Sequence, residues 1–148
     1  MTMTIRPLVD ADLNHVYGLH QQATFQPWSF STFADCCKPP YQCLVAVLDS
    51  QVVGYGIILH VAGEVTLMDI AVAADHRGNG IGKYLLNEVI DTSIKLKADE
   101  IWLEVRAGNH AAIAMYRNAD FNDIDIRRDY YPSKKGREDA IMMSKRLD

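Results

Sequence analysis

Residues 68–84, with the sequence MDIAVAADHRGNGIGKY, decide the fold of this chain. An apolar run that ends in Ile70, Ala71 and Val72 predicts a strand, and a polar turn follows it. A glycine-rich loop then leads into an amphipathic pattern that predicts a helix. Glycine permits positive φ and close approach of a ligand, and the first N–H groups of a helix have no internal partner. The stretch therefore predicts a phosphate-binding loop made of Arg77, Gly78, Asn79, Gly80, Ile81, Gly82 and Lys83.

The spacing of the glycines excludes two familiar phosphate loops. A Walker loop needs a glycine five residues before its Gly-Lys pair, but residue 77 is arginine, and Tyr84 stands where Ser or Thr must bind magnesium. A Rossmann loop needs a glycine three residues after its second glycine, and Lys83 occupies that position. The pattern that remains is Arg77-x-x-Gly80-x-Gly82. For so short a motif, an ordinary glycine-rich turn before a helix is an open alternative.

Length and composition are those of one globular domain, which we expect to span residues 1–148. Hydrophobic residues make up 49% of the chain, charged residues make up 23%, and the formal net charge is −4. This charge is unlike that of a nucleic-acid-binding protein. The chain has no apolar run near the ~20 residues that cross a bilayer, and its first residues lack the pattern of a signal peptide. We therefore expect a cytoplasmic protein that binds neither nucleic acid nor membrane.

The order of the predicted elements describes an α/β fold with a mixed sheet. Because a long helix precedes the strand at residues 100–105, that strand is predicted to run parallel to Glu64–Val72, while the other pairs are mostly antiparallel. The predicted strands cover residues 4–9, 42–48, 52–61, 64–72, 100–105, 121–129 and 140–145, and residues 130–138 are predicted to form a polar loop. The predicted helices cover residues 10–23 with Asp10 as N-cap, 29–37 with Ser29 as N-cap, 80–97, and 109–118 with Asn109 as N-cap.

Further motifs extend the glycine loop into a pattern that covers nearly the whole chain. They are PWS at residues 27–29, WLEVRAGN at 102–109, AIAMY at 112–116, IRRDYYP at 126–132 and GREDAI at 136–141. The set resembles the GCN5-related N-acetyltransferase (GNAT) superfamily, and within it the RimI-type enzymes that acetylate the N-terminal alanine of a small-subunit ribosomal protein. The resemblance implies a seven-stranded, mostly antiparallel sheet flanked by about four helices. It also implies acetyl-CoA as co-substrate, a protein N-terminus as partner, and no metal.

Two side chains are candidates for acid–base chemistry. Moving an acetyl group from a thioester to an amine requires a proton acceptor for the amine and a proton donor for the thiolate. Glu104 lies on an apolar strand, where a carboxylate is either paired or functional, and pairing with Arg106 or another cation is the open alternative. Tyr116 lies on a helix, and a half-buried structural tyrosine is the open alternative. The resemblance implies that Glu104 is the general base and that Tyr116 is the general acid.

The resemblance also assigns binding roles. It implies that Asn109 bonds the pantetheine arm, that the backbone of Ile70, Ala71 and Val72 holds the acetyl group, and that the glycine loop holds the pyrophosphate. As a separate hypothesis, we expect Tyr130, Tyr131 and the Arg137-Glu138-Asp139 cluster to line the substrate cleft. Trp28 is interpreted as a hydrophobic plug, as part of the peptide groove, or as both. Asp69 is interpreted as a strand residue without a role in the chemistry. Asp120 stands where the family usually has a glycine in a left-handed helix cap, a conformation that aspartate tolerates.

Two alternatives to this function are open. One keeps the chemistry and changes the acceptor to another protein N-terminus, a lysine or a small amine. The other is a module that binds acyl-CoA without turning it over.

The three cysteines, Cys36, Cys37 and Cys43, occupy no motif position. We therefore expect direct transfer without a covalent enzyme intermediate.

Overall fold

A seven-stranded sheet runs through the computed structural model, which describes residues 2–148. Its strands lie in the order β1-β2-β3-β4-β5-β7-β6. They are β1 (Met3–Pro7), β2 (Tyr41–Leu48), β3 (Gln51–Val61), β4 (Glu64–Val72), β5 (Glu100–Arg106), β6 (Asn122–Ser133) and β7 (Gly136–Arg146). Neighbouring strands within the described residues are antiparallel except β4 and β5, which are parallel. The predicted mixed, mostly antiparallel sheet is confirmed.

Four α-helices cover the two faces of this sheet, as predicted. They are α1 (Leu13–Ala23), α2 (Phe30–Asp35), α3 (Ile81–Lys95) and α4 (His110–Asn118). Helices α1 and α2 pack on one face through Val16 and Phe33, which share a buried cluster with Tyr55 of β3. Helices α3 and α4 pack on the other face, where Leu86 and Ile113 join the core. Each face of the sheet therefore carries its own apolar core.

The first helix begins later than predicted. A 3₁₀ turn covers Asp10–Asp12, and α1 starts at Leu13. Asp12 rather than Asp10 holds the turn, because its carboxylate accepts the backbone N–H of Val9 at 2.9 Å and pairs with Arg6 at 2.7 Å.

The N-cap prediction for Ser29 is confirmed, since its hydroxyl oxygen accepts the N–H of Thr32 at 3.2 Å.

The prediction of a polar loop at residues 130–138 is wrong. Strand β6 continues through Ser133 and β7 begins at Gly136, so that only a two-residue turn separates them. Gly136 has φ +112°, which allows this tight reversal. Tyr131 then lies opposite Glu138, and the Arg137 side chain donates to the Asp129 carbonyl at 2.8 Å. These contacts between β6 and β7 hold the polar residues in paired strands.

Strands β4 and β5 separate halfway along their length. Their pairing runs from Glu64 opposite Glu100 to Leu67 opposite Leu103 and extends no further within residues 2–148. A bulge at the same level leaves Met68 without an opposite residue on β3. A bulge adds a local bend and twist to its strand. The sheet therefore opens beyond Leu67 and Leu103 into a notch between β4 and β5.

One of the two edges of the sheet is irregular. Strand β6 forms this edge, and its pairing with β7 shifts register between Asp123 and Asp125 and again between Arg127 and Tyr131. Asp129, inside the second irregularity, has φ +51°.

Candidate functional site

Two cavities meet where β4 and β5 separate. The larger, of about 580 Å³, contains the glycine loop in its wall and is called here the loop cavity. The smaller, of about 340 Å³, contains Asp69 and Glu104 and is called the carboxylate cavity. The walls of both include Ala23, Ile70, Asn109 and Tyr116. A molecule bound in one cavity therefore lies next to a molecule bound in the other.

The wall of the loop cavity presents free backbone amides. Gly78 and Gly80 have φ +82° and +80°, which is the left-handed conformation that glycine adopts at no steric cost. Gly80 is the N-cap of α3, and the N–H of Tyr84 makes the first helical bond, to the Gly80 carbonyl at 3.0 Å. The N–H groups before Tyr84 have no acceptor within the helix, and a glycine cap has no side chain to occupy them. The loop can therefore bind an anion.

The loop also lies close to its neighbours. A Cβ atom on Gly82 would lie 3.4 Å from the Met115 sulfur and 3.8 Å from Val72. The Arg77 Nε donates to the Val72 carbonyl at 3.2 Å. The start of α3 therefore packs closely against Met115 of α4 and Val72 of β4.

One edge of β4 is open inside the notch. Strand β3 covers the other edge, with Gly56 opposite Ile70 and Gly54 opposite Val72. Beyond Leu67, in the part of the chain that the structure describes, no strand pairs with the β5-facing edge. Apart from the Val72 carbonyl, which accepts from Arg77, the backbone N–H and C=O groups there can bond an extended ligand, as an added strand would. Asn109 borders the same space and uses its side-chain oxygen to cap α4, accepting from Ala112 at 3.2 Å.

Tyr116 lies between the two cavities and is 5% exposed. The end of α4 holds it in place. Asp120 has φ +69°, and the Phe121 N–H donates to the Tyr116 carbonyl at 3.0 Å, which is the Schellman arrangement of a helix end. Asp120 thus adopts the left-handed conformation that the family's usual glycine would take. Burial, and secondly the charge of Asp69, raise the pKa of Tyr116 above its ordinary value, so the phenol keeps its proton at neutral pH.

Glu104 lies in the wall of the carboxylate cavity with Trp28 and Tyr131. Within residues 2–148 its carboxylate has no hydrogen bond or ion pair. Arg106, the partner that the sequence left open, is instead 3.2 Å from Glu138. Glu104 is therefore a free acceptor of protons or hydrogen bonds in this cavity.

Arg106 fixes the β6–β7 hairpin against the cavity. Its guanidinium donates to the Pro132 carbonyl at 2.9 Å and lies over the Tyr131 ring at 4.5 Å. Burial, and secondly the charge of Glu104, raise the pKa of Tyr131 to about 12. Tyr131 is therefore a neutral wall of the carboxylate cavity at physiological pH.

Most of the residues predicted for the site come together in these walls. The loop cavity contains Ile70, Ala71, Val72, Arg77, Gly78, Gly80, Ile81, Gly82, Lys83, Asn109 and Tyr116, and the carboxylate cavity contains Trp28, Glu104 and Tyr131. Two predicted residues lie outside both walls. Asn79 lies on the exposed loop, and Tyr130 is 40% exposed on the outer side of the hairpin.

A polar cluster that borders the same cavity as Glu104 was missed from the sequence. Asp69 accepts hydrogen bonds from the Tyr55 hydroxyl at 2.6 Å and from His20 Nδ1 at 2.8 Å. His20 is 3% exposed, and both Asp69 and His20 lie in the wall of the carboxylate cavity. These residues belong to β3, β4 and α1, so no local spacing in the sequence connects them.

Residues 2–148 contain no group of three metal-binding side chains. Over the same residues, none of the helices has the length and apolar character needed to traverse a lipid bilayer.

Known acetyltransferases are similar to this chain in both sequence and structure. The model of the acetyltransferase (GNAT) family matches residues 6–121. The [ribosomal protein bS18]-alanine N-acetyltransferase of Escherichia coli is 41% identical over 141 residues, which cover 95% of each chain. The same-named protein of Haemophilus influenzae is 36% identical over 144 residues, 96% of this chain and 98% of the relative. The crystal structure of the Escherichia coli ribosomal-protein-S18-alanine N-acetyltransferase superimposes with a TM-score of 0.95 at 39% identity, covering 99% of this chain and 95% of that one.

Proposed function

The chain belongs to the acetyltransferase (GNAT) family, and from this premise we propose that it transfers the acetyl group of acetyl-CoA to the N-terminal alanine of a small-subunit ribosomal protein. The observation that carries the proposal is the junction of the two cavities at Ile70, Asn109 and Tyr116. It brings an anion-binding loop and a free carboxylate to opposite ends of one reaction space. Ribosomal substrates imply a cytoplasmic enzyme, and we take residues 1–148 as one catalytic domain.

Acetyl-CoA occupies the loop cavity in this proposal. The free amides before Tyr84 bind the pyrophosphate, and Arg77 and Lys83 add positive charge at the mouth. The pantetheine arm extends along the open edge of β4, where Asn109 has amide hydrogens left to donate because only its oxygen is used as a cap. The acetyl group then reaches the notch, where a β4 backbone N–H polarises its carbonyl oxygen.

The acceptor amine enters the carboxylate cavity. An α-amino group has a pKa of about 7.7–8.0, against about 10.4 for a lysine, so a single carboxylate suffices to remove its proton near neutral pH. Glu104 is the base, because its carboxylate is unpaired and lies in the wall that the amine contacts. The freed amine attacks the thioester carbon, and the C–S bond breaks as the C–N bond forms. The nitrogen then loses a second proton, which balances the proton that the departing thiolate takes up.

Tyr116 completes the transfer by protonating the departing thiolate. It lies in both walls, and its raised pKa keeps the phenol protonated while the reaction proceeds. Cys36, Cys37 and Cys43 all lie outside the two cavity walls. This position supports direct transfer from acetyl-CoA to the amine without an acetyl-cysteine.

The test is release of coenzyme A in the presence of an Ala-initiated peptide copied from the ribosomal protein. The proposal expects release with the free N-terminus and none with the same peptide blocked at that end. Glu104→Gln should lower kcat/KM by about 10²–10⁴-fold, the usual contribution of a general base. Glu100→Gln is the matched control, because Glu100 lies on the same face of β5 but outside both cavities.

Other outcomes select the alternatives. Equal release with a blocked, lysine-containing peptide would identify a lysine acetyltransferase. Calorimetric binding of acetyl-CoA without release toward any amine would identify a non-catalytic module.

A further inference from the structure

We propose that Asp69 is a second functional carboxylate, which binds the positively charged amino group of the acceptor before Glu104 removes its proton. This inference rests on the proposed function, since it concerns the acceptor of that reaction. It is carried by the hydrogen-bond cluster around Asp69 and by the place of that cluster in the wall of the carboxylate cavity.

Asp69 is fixed by bonds to only one of its two carboxylate oxygens. Oδ2 accepts from the Tyr55 hydroxyl at 2.6 Å and from His20 Nδ1 at 2.8 Å. Within residues 2–148, Oδ1 has no hydrogen-bond donor. The side chain is 24% exposed, although His20 and Tyr55 behind it are buried. The cluster therefore holds one oxygen inside the protein and leaves a free acceptor at the cavity wall.

The hydrogen bonds of His20 show which of its two ring nitrogens carries the hydrogen. The backbone N–H of Trp28 donates to His20 Nε2 at 2.9 Å, so this nitrogen has no hydrogen of its own. The ring hydrogen is then on Nδ1 and points to Asp69. In this tautomer the imidazole is neutral and does not cancel the charge of Asp69. A neutral histidine and a tyrosine hydroxyl therefore orient a carboxylate whose negative charge remains available to a ligand.

The charges around the cavity select a cation. Its titratable lining groups are His20, Asp69, Glu104, Arg106, Tyr116 and Tyr131. The hydrogen bonds of His20 indicate that its ring is neutral. The two tyrosines are protonated, and Arg106 is paired with Glu138. The two unpaired charges that remain, Asp69 and Glu104, are both negative. A protonated amine is the simplest ligand that satisfies them.

The two carboxylates differ in their mobility and therefore in their roles. Asp69 has two internal donors that fix it, whereas Glu104 has none within the described residues. A fixed carboxylate suits binding and orientation of an ammonium group. An unbonded carboxylate suits proton transfer, because no internal hydrogen bond opposes its protonation. The arrangement thus separates recognition of the amine from its deprotonation.

The experiment compares two peptides that differ only in the amine. One is the Ala-initiated peptide, and the other carries a propionyl group in place of that alanine. Calorimetry with the enzyme saturated with coenzyme A, at a pH of about 6.5 where an α-amine is protonated, gives both affinities without turnover. The Kd of the propionyl peptide divided by the Kd of the Ala-initiated peptide measures the amine-dependent part of binding.

Asp69→Asn should reduce this ratio by about 10-fold or more, since a hydrogen bond to a charged group is typically worth that factor. Affinity for the propionyl peptide should change less than about twofold. The rising limb of kcat against pH should also move to lower pH, because removing a nearby negative charge lowers the pKa of the bound amine. A simple loosening of the wall would not produce that shift.

Two further variants keep the test decisive. Tyr55→Phe removes one bond to Oδ2 from outside the cavity wall and should lower the same ratio by a smaller factor. Asp91→Asn makes the same chemical change on the exposed side of α3 and should leave the ratio unchanged. An unchanged ratio in Asp69→Asn and Tyr55→Phe, or an equal loss for both peptides, overturns the inference.

Failure of the proposed function gives a different result. In that case the wild-type enzyme releases no coenzyme A with the Ala-initiated peptide. The Kd ratio is then measured with the amine that it does acetylate and the deaminated form of that amine, and the same outcomes decide the role of Asp69.

Discussion

The ring of Phe121 packs against the ring of Tyr116 with their centroids 5.8 Å apart, and the Phe121 N–H donates to the Tyr116 carbonyl at 3.0 Å. Both contacts depend on the left-handed residue between them, Asp120. The helix end therefore sets the position of the phenol that the proposed mechanism uses as its acid. Stability and catalysis should respond together to changes at this helix end.

Asp120→Val should lower the free energy of unfolding by about 1–2 kcal/mol, because a β-branched residue is poorly tolerated at φ +69°. Asp120→Gly should stay within about 1 kcal/mol of the wild type, since glycine adopts this conformation freely but has more freedom to lose on folding. Urea unfolding measures both values. Equal stability of the two variants would contradict the role assigned to the backbone conformation.

Tyr116→Phe should lower kcat by about 10²–10⁴-fold, with little change in the affinity for acetyl-CoA, because it removes only the transferable proton. Since the pKa of this phenol is raised by burial, the wild-type kcat should show no falling limb from Tyr116 up to about pH 10. Stopped assays of coenzyme A release across pH, with calorimetry for binding, measure these effects. Tyr84→Phe, an exposed phenol on α3, is the control. A full loss of acetyl-CoA binding would show that Tyr116 is structural instead.

Gly80→Ala should weaken acetyl-CoA binding by about 5–30-fold, because the free loop can relax out of the left-handed region and binding must then restore it at a cost of about 1–2 kcal/mol. No neighbouring atom lies within 4 Å of the new Cβ, so the effect comes from φ +80° alone. Gly18→Ala is the matched control, because its Cβ also meets nothing and its helical backbone should gain about 0.5–1 kcal/mol. Calorimetry and thermal unfolding report the two effects separately. Unchanged binding in Gly80→Ala would remove the loop from the proposed site.

Arg106→Lys should raise KM for the peptide by about 5–10-fold while kcat changes little. Lysine cannot replace the planar group that bonds Pro132, pairs with Glu138 and lies over Tyr131 at once, so the hairpin wall would loosen. Steady-state kinetics at saturating acetyl-CoA measure the effect. Arg128→Lys is the control, because Arg128 is 80% exposed and its ion pair is 3.6 Å long. A similar KM for both variants would show that Arg106 does not shape the wall.

The sequence predicted the features that depend on local chemistry. The glycine loop, the Ser29 and Asn109 caps and the order of strands and helices follow from residues close together in the chain, and the structure contains them all. The sequence also indicated that aspartate at position 120 tolerates the left-handed conformation, which the structure shows there. Family motifs added Glu104 and Tyr116, which no periodicity would have separated from core residues.

Features that depend on contacts between distant residues were not predictable. Residues 130–138 read as a loop because they are polar, but Arg137 bonds the Asp129 carbonyl across the hairpin and Glu138 pairs with Tyr131, so both strands continue through most of this segment. Asp69 read as an ordinary strand residue, and its bonds come from side chains 49 and 14 positions away. The end of the β4–β5 pairing at Leu67 likewise depends on a bulge, and no turn-forming residue in the sequence indicates that bulge.

The irregular pairing of β6 has a consequence for the behaviour of the protein at high concentration. A long, flat outer strand would offer a continuous row of amide groups to another molecule and could seed fibrous aggregates. Here the register shifts at Asp123–Asp125 and Arg127–Tyr131 break that row, and the charges of these residues face solvent. The exposed Ile124 and Ile126 are thereby isolated between charged neighbours. The outermost strand is thus a poor template for intermolecular polymerisation, although it lies uncovered along the whole side of the sheet.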